Sequence, residues 1–420
     1  MRTDAPRTEL IMKQCTEEVR MSNSFHDRRI ALESEHKELL SRNNPPVLPG
    51  NGIFTRYQYP VVTAAHTPLF WRYDLNPNRN PFLMERLGVN CCFNPGAIEF
   101  DGNICLMVRV EGYDRKSFFA VARSKNGINQ FRFDDRPILL PETDNPDTNV
   151  YDMRLTRHED GWIYGIFCTE RRAPTADIND TETANVQIGI VRTHDLVQFE
   201  RLPDLVTCAS EQRNVVLHPE FVDGRYALYT RPFGRTPGNR YAPGIGFGLV
   251  DSMERAVISE PETIIDSNIY HTIKEAKNGM GAPPLKTDLG WIHIAHGVRY
   301  PAGCVRYVLY AFVTDLAKPW IVTHRPGGYL MAPEGEERVG DVSNVLFTNG
   351  AILRSNGEIL IYYASSDTRI HVATTTAEQL MDYCKNTPED ALSSHACVLQ
   401  RLSLINCNLM ENPDLSQQPK

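Results

Sequence analysis

Several features that define other classes of protein are missing from this sequence of 420 residues. It has no apolar run long enough to span a membrane, and its first fifteen residues lack the apolar stretch of a signal peptide. Positive charge is scarce, since the formal net charge is −8 at pH 7. Because nucleic acids and anionic membranes attract clustered Lys and Arg, the sequence predicts neither as a partner. We expect a cytoplasmic protein.

Ordered cysteine and histidine motifs are missing as well. The ten cysteines include no CxxC pair and follow no regular spacing, which is typical of free thiols in a reducing compartment, although a catalytic or metal-binding cysteine remains an alternative. His293 and His296 lie three residues apart, with His66 and His271 upstream, but no HExxH pattern accompanies them. The glycines of GIGFG are not followed by a helix. We therefore predict no metal and no bound cofactor.

The sequence does contain a repeated phrase, in which an apolar strand, a turn with glycine and a second apolar strand follow one another. The five copies are AIEF-DGN-ICLMVRVEG, RLTRHE-DGW-IYGIFCTE, PEFV-DGR-YALYTRP, PPLKTDL-GW-IHIAHGV and AILRS-NGE-ILIYYASSD. Their turn glycines, Gly102, Gly161, Gly224, Gly290 and Gly357, are 59, 63, 66 and 67 residues apart. Asp-Gly and Asn-Gly between β-formers favour type I′ hairpins, in which both central residues have positive φ.

Most of these hairpins are followed by a further strand, as in FFAVARSKNG, QIGIVRTHD, GIGFGLV and RIHVATTT. A unit of about four antiparallel strands that recurs at a near-constant long period is typical of a β-propeller. The sequence therefore predicts an all-β fold with five blades. A pair of β-sandwiches would also alternate strands and turns, but it would not require the same phrase five times.

The ends of the chain have a different pattern. Residues 1–45 are charged, proline-free before Pro45 apart from Pro6, and loosely helix-periodic, which predicts a helical arm used in contacts between identical subunits. The propeller is predicted to span residues 46–385. Residues 386–420 are predicted to form a C-terminal extension, next to a short helix in TAEQLMDYCKN.

Polar residues flank each repeated hairpin, where the innermost strands of a propeller surround a central funnel. Asp152 is set among Val150, Tyr151, Met153 and Leu155, surroundings that would raise the pKa of a carboxyl and suit it to acid catalysis. The same positions hold an excess of cationic side chains, which suggests an anionic substrate such as phosphate. They are Arg154, Arg171, Arg213, Arg231, Lys277 and His296. The alternative for each one is a solvated rim residue in an ordinary ion pair.

Longer phrases carry a resemblance to a known family. They include FLMERLGVNCCFNPGAI, TNVYDMRLTRHEDGWIYGIFCTER, QRNVVLHPEFVDGRYALYTRP, YHTIKEAKNGMGAPPLKT and GDVSNVLFTNGAIL, and the likeness covers roughly residues 45 to 385. The sequence resembles the inverting β-mannoside phosphorylases of glycoside hydrolase family 130, within them the group that acts on mannosylglucose. The resemblance implies a five-bladed propeller that converts 4-O-β-D-mannosyl-D-glucose and phosphate into α-D-mannose 1-phosphate and D-glucose.

The resemblance also implies roles for single residues. Asp152 matches the general acid of the family, which acts through the mannose 3-hydroxyl, and inorganic phosphate is the nucleophile. The positions implied to bind phosphate are Arg171, Arg213, Arg231, Lys277 and His296. The positions implied to contact the mannosyl residue are Arg109, Asp341 and Asp367. Phosphate is already an anionic nucleophile, so cations take the place of the second carboxylate that an inverting hydrolase needs.

Three other functions remain open from the residues alone. They are an inverting hydrolase or a phosphorylase for another β-mannoside, such as mannobiose or mannosyl-N-acetylglucosamine; a non-catalytic sugar-binding propeller; and a scaffold that uses its rim for protein contacts. The aromatic residues Phe70, Trp71, Tyr73, Trp162 and Trp291 are candidates for the floor of a sugar site, with packing between blades as the alternative for the last two.

Overall fold

The structure is a computed structural model. It describes residues 24–172, 184–209, 211–236, 239–241, 243–390 and 396–414. The first half of the predicted arm therefore lies outside the described residues.

Five antiparallel sheets follow one another along the chain and form the blades. Blade 1 consists of β2 (Val89–Phe100), β3 (Asn103–Gly112), β4 (Ser117–Ser124) and β5 (Arg132–Phe133). Blade 2 consists of β6 (Asn149–Arg157), β7 (Ile163–Arg172), β8 (Ala184–Thr193) and β9 (Glu200–Leu202). Blade 3 consists of β11 (Val216–Leu217), β12 (Tyr226–Thr230), β15 (Gly244–Val250) and β16 (Thr263–Ser267).

The fourth sheet has one strand more than the others. Blade 4 consists of β17 (Lys277–Met280), β18 (Leu285–Thr287), β19 (Gly290–Arg299), β20 (Arg306–Thr314) and β21 (Val322–His324). Both β17 and β18 pair with β19, so the innermost strand of this blade is interrupted. A small additional sheet stands beside blade 3 and contains β10 (Glu211–Gln212), β13 (Pro232–Thr236) and β14 (Asn239–Tyr241).

Blade 5 closes the ring with a strand from the other end of the domain. It consists of β22 (Leu346–Leu353), β23 (Glu358–Ser365), β24 (Arg369–Thr376) and β1 (Thr55–Arg56). Thr55 pairs with Thr374 and Arg56 with Ala373, so a segment before blade 1 supplies the outer strand of the last blade. The predicted five-bladed propeller is confirmed, and this closure removes an exposed sheet edge.

The hairpin turns agree with the sequence prediction in part. All five turn glycines have positive φ, from 63° at Gly102 to 147° at Gly290. Of the four Asp-Gly and Asn-Gly turns, only Asp101-Gly102 and Asp223-Gly224 have positive φ at both residues, so the prediction of type I′ geometry is wrong for Asp160-Gly161 and Asn356-Gly357. The turn at Gly290 has no such pair. At Gly161, Gly290 and Gly357, the glycine has positive φ and the residue before it does not.

Helices lie outside the ring of blades. They are α1 (24–41), α2 (Leu69–Arg72), α3 (Ala377–Asn386) and α4 (Ala396–Glu411), with 3₁₀ turns at Ala64–His66, Met253–Arg255 and Gly335–Arg338. The predicted helix after the last blade is α3, whose first turn is capped by the Thr376 hydroxyl accepting from the Gln379 amide. No described helix has the length and apolarity that crossing a bilayer requires.

The core lies between neighbouring blades, because each sheet buries both faces. Between blades 1 and 5, for example, Leu106 and Val108 pack with Leu360, Tyr362 and Val372, all of them inaccessible to solvent. This packing between blades forms a rigid frame around the central funnel.

The eight cysteines that the structure describes in detail are free thiols, as predicted.

The innermost strands are bent by β-bulges that direct side chains into this funnel. The register shifts between Phe93 and Gly96 in β2 and between Tyr151 and Arg154 in β6. Each bulge has a polar residue with positive φ, 44° at Asn94 and 60° at Asp152. Bulges commonly redirect a side chain beside an active site, and a non-glycine residue in this conformation costs about 1–3 kcal/mol.

Candidate active site

Asp152 lies on the bulge of β6 and is 7% exposed. Its Oδ1 accepts hydrogen bonds from Asn94 Nδ2 at 2.9 Å and Arg109 Nη1 at 3.2 Å. Within the described chain, Oδ2 has no hydrogen-bond donor. The sequence suggested apolar surroundings for this carboxyl, and that prediction is wrong at the carboxyl group itself, because the bulge turns it away from its neighbours in sequence and towards donors on blade 1.

Arg109 connects this carboxyl to a second one. Its Nη2 donates to Glu111 Oε2 at 2.8 Å and its Nε to Ser117 Oγ at 2.9 Å, while the guanidinium lies 4.3 Å from the centre of the Phe93 ring. Burial would lower the pKa of Arg109, but the carboxylates of Asp152 and Glu111 raise it overall. Arg109 is therefore a fixed cation between two carboxylates.

Asp367 lies near Asp152 and Arg109, at a turn where Ser366 and Asp367 both have positive φ. Burial, the charge of Asp152 and that of Asp341 together raise the pKa of Asp367 from 3.8 to about 7, against the opposite effect of Arg109. At neutral pH this side chain is thus divided between a hydrogen-bond donor and an acceptor. Such a group can serve a sugar hydroxyl in either role.

Asp341 stands at the exposed edge of this side of the funnel. Its Oδ2 lies 2.7 Å from Arg115 Nη2, and its amide donates to Thr368 Oγ1 at 3.0 Å, next to Asp367. Arg115 also contacts Glu111 at 3.2 Å. The structure thus brings all three residues that were predicted to contact the mannosyl group to one side of the funnel: Arg109 bonds Asp152, and Asp341 lies close enough to Asp367 to affect its pKa.

Arg231 belongs to a second group of polar residues, on blades 3 and 4. It is 5% exposed, and in the described part of the chain it forms no ion pair with a carboxylate. Its Nε has no hydrogen-bond partner there, and burial lowers the pKa of the guanidinium to about 10. Arg231 is still charged at neutral pH, so a buried cation faces the funnel without a balancing charge, which is costly unless an anion binds.

His296 supports Arg231. Its Nε2 lies 3.4 Å from Arg231 Nη1 and 3.3 Å from Asn214 Nδ2. Burial and the charges of Arg231, Arg154 and Lys277 hold the pKa of His296 well below 6.5. The sequence prediction of a cationic His296 is therefore wrong: the ring is neutral, and with two donors facing Nε2 its proton belongs on Nδ1.

Arg213 and Lys277 lie around the same place. Tyr307 lies beside them, since Lys277 Nζ is 5.4 Å from the centre of the Tyr307 ring. Burial raises the pKa of Tyr307 to about 12, and the nearby charges of Arg231 and Arg213 oppose this rise. Arg213 is half-buried, and its Nε has no partner among the described residues. The structure therefore brings four of the five predicted phosphate residues into one group.

Arg154 lies beneath both groups and is 1% exposed. Its Nη1 donates to the carbonyl of Asp152 at 2.8 Å, its Nη2 to Asn214 Oδ1 at 3.2 Å and its Nε to the carbonyl of Gly281 at 3.2 Å. These bonds tie the bulge of β6 to blades 3 and 4. Arg154 therefore acts on the site by fixing its backbone.

Arg171 has no described contact with the cationic group, which consists of Arg213, Arg231, Lys277 and the neutral His296 that supports Arg231. Its guanidinium is paired with Asp147 at 2.8 Å and with Asp204, and it lines a polar cavity of about 460 Å³ together with Asn185, Gln187 and other residues. Its charge is thus already balanced by two carboxylates. The role in phosphate binding that the sequence suggested stays a prediction without support from this arrangement.

The aromatic candidates have packing roles for the most part. Trp291 is 1% exposed and contacts the His218 ring, and Trp71 packs against Phe118 at 6.2 Å. Trp162 is stacked on His194 at 3.7 Å and lines a cavity of about 900 Å³, which contains none of the residues predicted to act in catalysis or to bind phosphate or mannose. Packing between blades, the alternative for Trp162 and Trp291, accounts for these rings.

Sequence reasoning missed several polar residues of the site, among them Asn94, Asn214 and Tyr307. Asn94 and Asn214 occupy the same place on their inner strands as Asp152 and have φ of 44° and 52°. Asn is enriched at positive φ, so the NP pair before the first hairpin and the RN pair before the third were a usable signal. Tyr307 left no such signal, because it lies on a third strand and reaches the funnel through tertiary packing.

The comparisons with known proteins fit this geometry. A family model described as β-1,4-mannooligosaccharide phosphorylase (Glyco_hydro_130) matches residues 67–386. The chain belongs to this family. It is 59% identical, over 92% of its length and 98% of the relative, to 4-O-β-D-mannosyl-D-glucose phosphorylase from Bacteroides fragilis. It is 28% identical, over 76% of its length and 91% of the relative, to β-1,4-mannooligosaccharide phosphorylase from Ruminococcus albus.

A solved structure has the same fold. The β-1,2-mannobiose phosphorylase from Listeria innocua, in complex with β-1,2-mannobiose, superposes with a TM-score of 0.62 at 20% identity, covering 82% of this chain and 99% of the other. The chain is thus an enzyme of the phosphorylase type, which transfers a glycosyl group to phosphate. Within the described residues, no group of three or more His, Cys, Asp or Glu side chains is arranged to hold a metal ion.

Proposed function

We propose that this enzyme catalyses the inverting phosphorolysis of 4-O-β-D-mannosyl-D-glucose to α-D-mannose 1-phosphate and D-glucose. The observation that carries the substrate is the 59% identity with the relative from Bacteroides fragilis that bears this activity in its name. The division of the funnel into a carboxylate side and a cationic side supports the reaction type.

Asp152 is the general acid in this proposal. Because Asn94 and Arg109 both donate to Oδ1, the other oxygen is the one available to carry the proton. That oxygen protonates the mannose 3-hydroxyl, whose own proton passes to the glycosidic oxygen as the bond to the anomeric carbon breaks. Arg109, Asp341 and Asp367 hold the mannosyl group, and Arg109 stabilises the Asp152 carboxylate that forms.

Phosphate binds on the cationic side and attacks the anomeric carbon from the face opposite the leaving glucose. Arg213, Arg231 and Lys277 supply charge, while neutral His296 orients Arg231 through Nε2. The carbon–oxygen bond to glucose breaks as the bond to phosphate forms, so the configuration inverts. The proton carried by hydrogen phosphate replaces the one that Asp152 gives up, and no cofactor takes part.

The test is the release of glucose and mannose 1-phosphate from mannosylglucose, measured with and without inorganic phosphate. Phosphate-dependent formation of both products in equal amounts is expected. Equal glucose release without phosphate would identify a hydrolase instead. The same assay with mannobiose and mannosyl-N-acetylglucosamine tests the acceptor, since a faster reaction with either of these would reassign the substrate and keep the mechanism.

Cytoplasmic location and self-association form part of the proposal. Free thiols at the described cysteines support a reducing compartment. Several large apolar side chains of α4, among them Val398, Leu399 and Met410, are at least 57% exposed, which supports contact with another subunit. Light scattering of the full chain, which should give a mass above that of one subunit, tests the second point.

A further inference from the structure

A buried carboxylate outside the funnel collects an unusual number of donors. Asp266, on the outer strand β16 of blade 3, is 1% exposed. Its Oδ1 accepts from Lys274 Nζ at 2.5 Å and from Arg325 Nε at 2.9 Å. Its Oδ2 accepts from the Tyr310 hydroxyl at 2.6 Å and from Asn278 Nδ2 at 3.1 Å. All four donors belong to the segment that builds blade 4, so Asp266 joins blades 3 and 4.

Asn278 Nδ2 lies within hydrogen-bond distance of three oxygen atoms, one of which is Asp266 Oδ2. Its Nδ2 also lies 3.0 Å from the carbonyl oxygen of Asp266 and 3.0 Å from the Tyr310 hydroxyl oxygen. The three residues therefore form a closed set of hydrogen bonds in the dry space between the blades. Such a fully buried set fixes the backbone on which its members lie.

Two of these members are close in sequence to residues of the cationic group. Lys277 precedes Asn278 in β17, and side chains of neighbouring strand residues point to opposite faces. Lys277 therefore faces the funnel while Asn278 faces Asp266. In β20, Tyr310 contacts Asp266, whereas Tyr307, three residues earlier and on the opposite face, lies near Arg231.

The strand β17 also packs tightly against His296 and Asn214, the residues that lie beside Arg231. A Cβ atom added at Gly279 would lie 2.7 Å from the His296 ring and 2.9 Å from Asn214 Nδ2. Gly279 thus lets the backbone of β17 pack directly on the group that supports Arg231. A shift of β17 by a few tenths of an ångström would displace Lys277, His296 and Asn214 together.

We propose that Asp266 is a positioning residue of the phosphate site, which sets the places of Lys277 and Tyr307 by holding Asn278 and Tyr310. The inference rests on the proposed function, since it concerns the phosphate half of that site. Asp266 touches neither substrate and acts only through β17 and β20. Its loss is expected to weaken phosphate binding while the disaccharide, bound on blades 1, 2 and 5, is held as before.

The experiment compares two variants of this network with a matched control. Asp266→Asn removes the charge, and Tyr310→Phe removes one donor and keeps the carboxylate. The control is Asp160→Asn, because Asp160 likewise accepts from two tyrosine hydroxyls, Tyr164 at 2.8 Å and Tyr226 at 2.9 Å, but contacts no residue of the cationic group. Phosphate binding is measured by calorimetry, and KM is measured for phosphate and for mannosylglucose.

Asp266→Asn is expected to raise the Kd and KM for phosphate about tenfold, the lower end of the effect of outer partners on binding residues, and Tyr310→Phe about threefold. The KM for mannosylglucose should change less than twofold in both. Asp160→Asn should lower thermal stability without this selectivity. Should Asp266→Asn not fold, Tyr310→Phe decides the matter alone.

Three results would count against the inference. Unchanged phosphate binding in a folded variant would overturn it and leave the proposed function intact. Equal rises in both KM values, or the same pattern in Asp160→Asn, would reduce Asp266 to a general support of the fold. Failure of the unaltered enzyme to bind phosphate, with no phosphate-dependent turnover, would overturn the proposed function, and the inference with it.

Discussion

The two sides of the funnel balance their charges in different ways. On the side of Asp152, charges alternate from one residue to the next: Arg109 lies between Asp152 and Glu111, and Arg115 lies between Glu111 and Asp341. On the other side, Arg231 is buried beside a neutral His296 and forms no ion pair among the described residues. The first side pairs its charges internally except at Asp367, whose pKa is raised to about 7, whereas in the proposed function an anion balances the second side.

This difference has a consequence for stability. An internally paired network stabilises the folded protein, or at least costs little, while a buried unpaired cation destabilises it until a ligand binds. In the proposed function, the cationic side therefore owes its affinity for phosphate to a charge that the described residues leave unbalanced. Predictions that act on one side only should separate these two situations.

The largest effect is expected from Asp152→Asn, which removes the acid and keeps the size of the side chain. Phosphorolysis should fall at least about 10³-fold, within the range for loss of a general acid. Binding of the disaccharide and of phosphate, measured by calorimetry, should stay within a few-fold of the original. An enzyme that retains turnover after this change would need another acid, and a variant that no longer binds sugar would indicate a structural role.

Arg231→Met should affect the opposite side. The KM for phosphate should rise about 10–100-fold, since a charge-assisted hydrogen bond contributes about 1.5–3 kcal/mol, while the KM for mannosylglucose changes little. The Tm without phosphate should stay the same or rise, because an unpaired buried charge is replaced by an apolar side chain. Lys286→Met, which breaks an exposed pair with Glu220, is the control and should leave both KM values unchanged.

Arg171→Met should have the reverse signature. It removes one of the two guanidinium groups that Asp147 and Asp204 share, the other being that of Arg201, so the Tm should fall by several degrees, whereas the KM for phosphate should change less than about twofold. Differential scanning fluorimetry and steady-state kinetics on the same preparation measure both. A phosphate KM raised as far as in Arg231→Met would return Arg171 to the phosphate site, where the sequence placed it.

Asp367→Asn should change the thermal stability, and the change depends on pH. The pKa of the Asp367 carboxyl is about 7 in the folded protein, against an ordinary value of 3.8. Between pH 3.8 and pH 7, folding is therefore accompanied by the uptake of a proton. Stability from this group is therefore complete below about pH 4 and is lost as the pH rises to about 7. Asparagine resembles the protonated form, so the variant should have a higher Tm at pH 8.

The advantage of Asp367→Asn in Tm should narrow as the pH is lowered from 8 towards 5. Thermal melts across this range test the sign, with Asp160→Asn as a carboxylate control whose folded pKa is shifted downward, mainly by hydrogen bonds that outweigh burial. That control should lose Tm at pH 8 and should approach the unaltered protein at low pH. A constant difference for Asp367→Asn at all pH values would contradict the raised pKa.

Much of the fold could be predicted because it is encoded locally. Each blade has its own apolar strands and its own turn glycine, so five similar phrases were enough to predict five blades. The strand Thr55–Arg56 could not be predicted, because two residues carry no periodicity and their pairing with Thr374 and Ala373 depends on ring closure. The same holds for the small sheet beside blade 3.

The site was predictable to the extent that its residues lie at equivalent places of the repeat. Asp152, Arg213, Arg231 and Lys277 each lie on or next to a strand of their blade, and the sequence by itself determined that they occupy equivalent positions of the repeat, although it also placed Arg171 with them. Only the tertiary structure decided how those charges are balanced. Pairing depends on distances in three dimensions, both within a blade and between blades. They give Arg171 two carboxylates of its own blade, leave Arg231 without a carboxylate among the described residues and make His296 neutral, and strand periodicity contains no information about such distances.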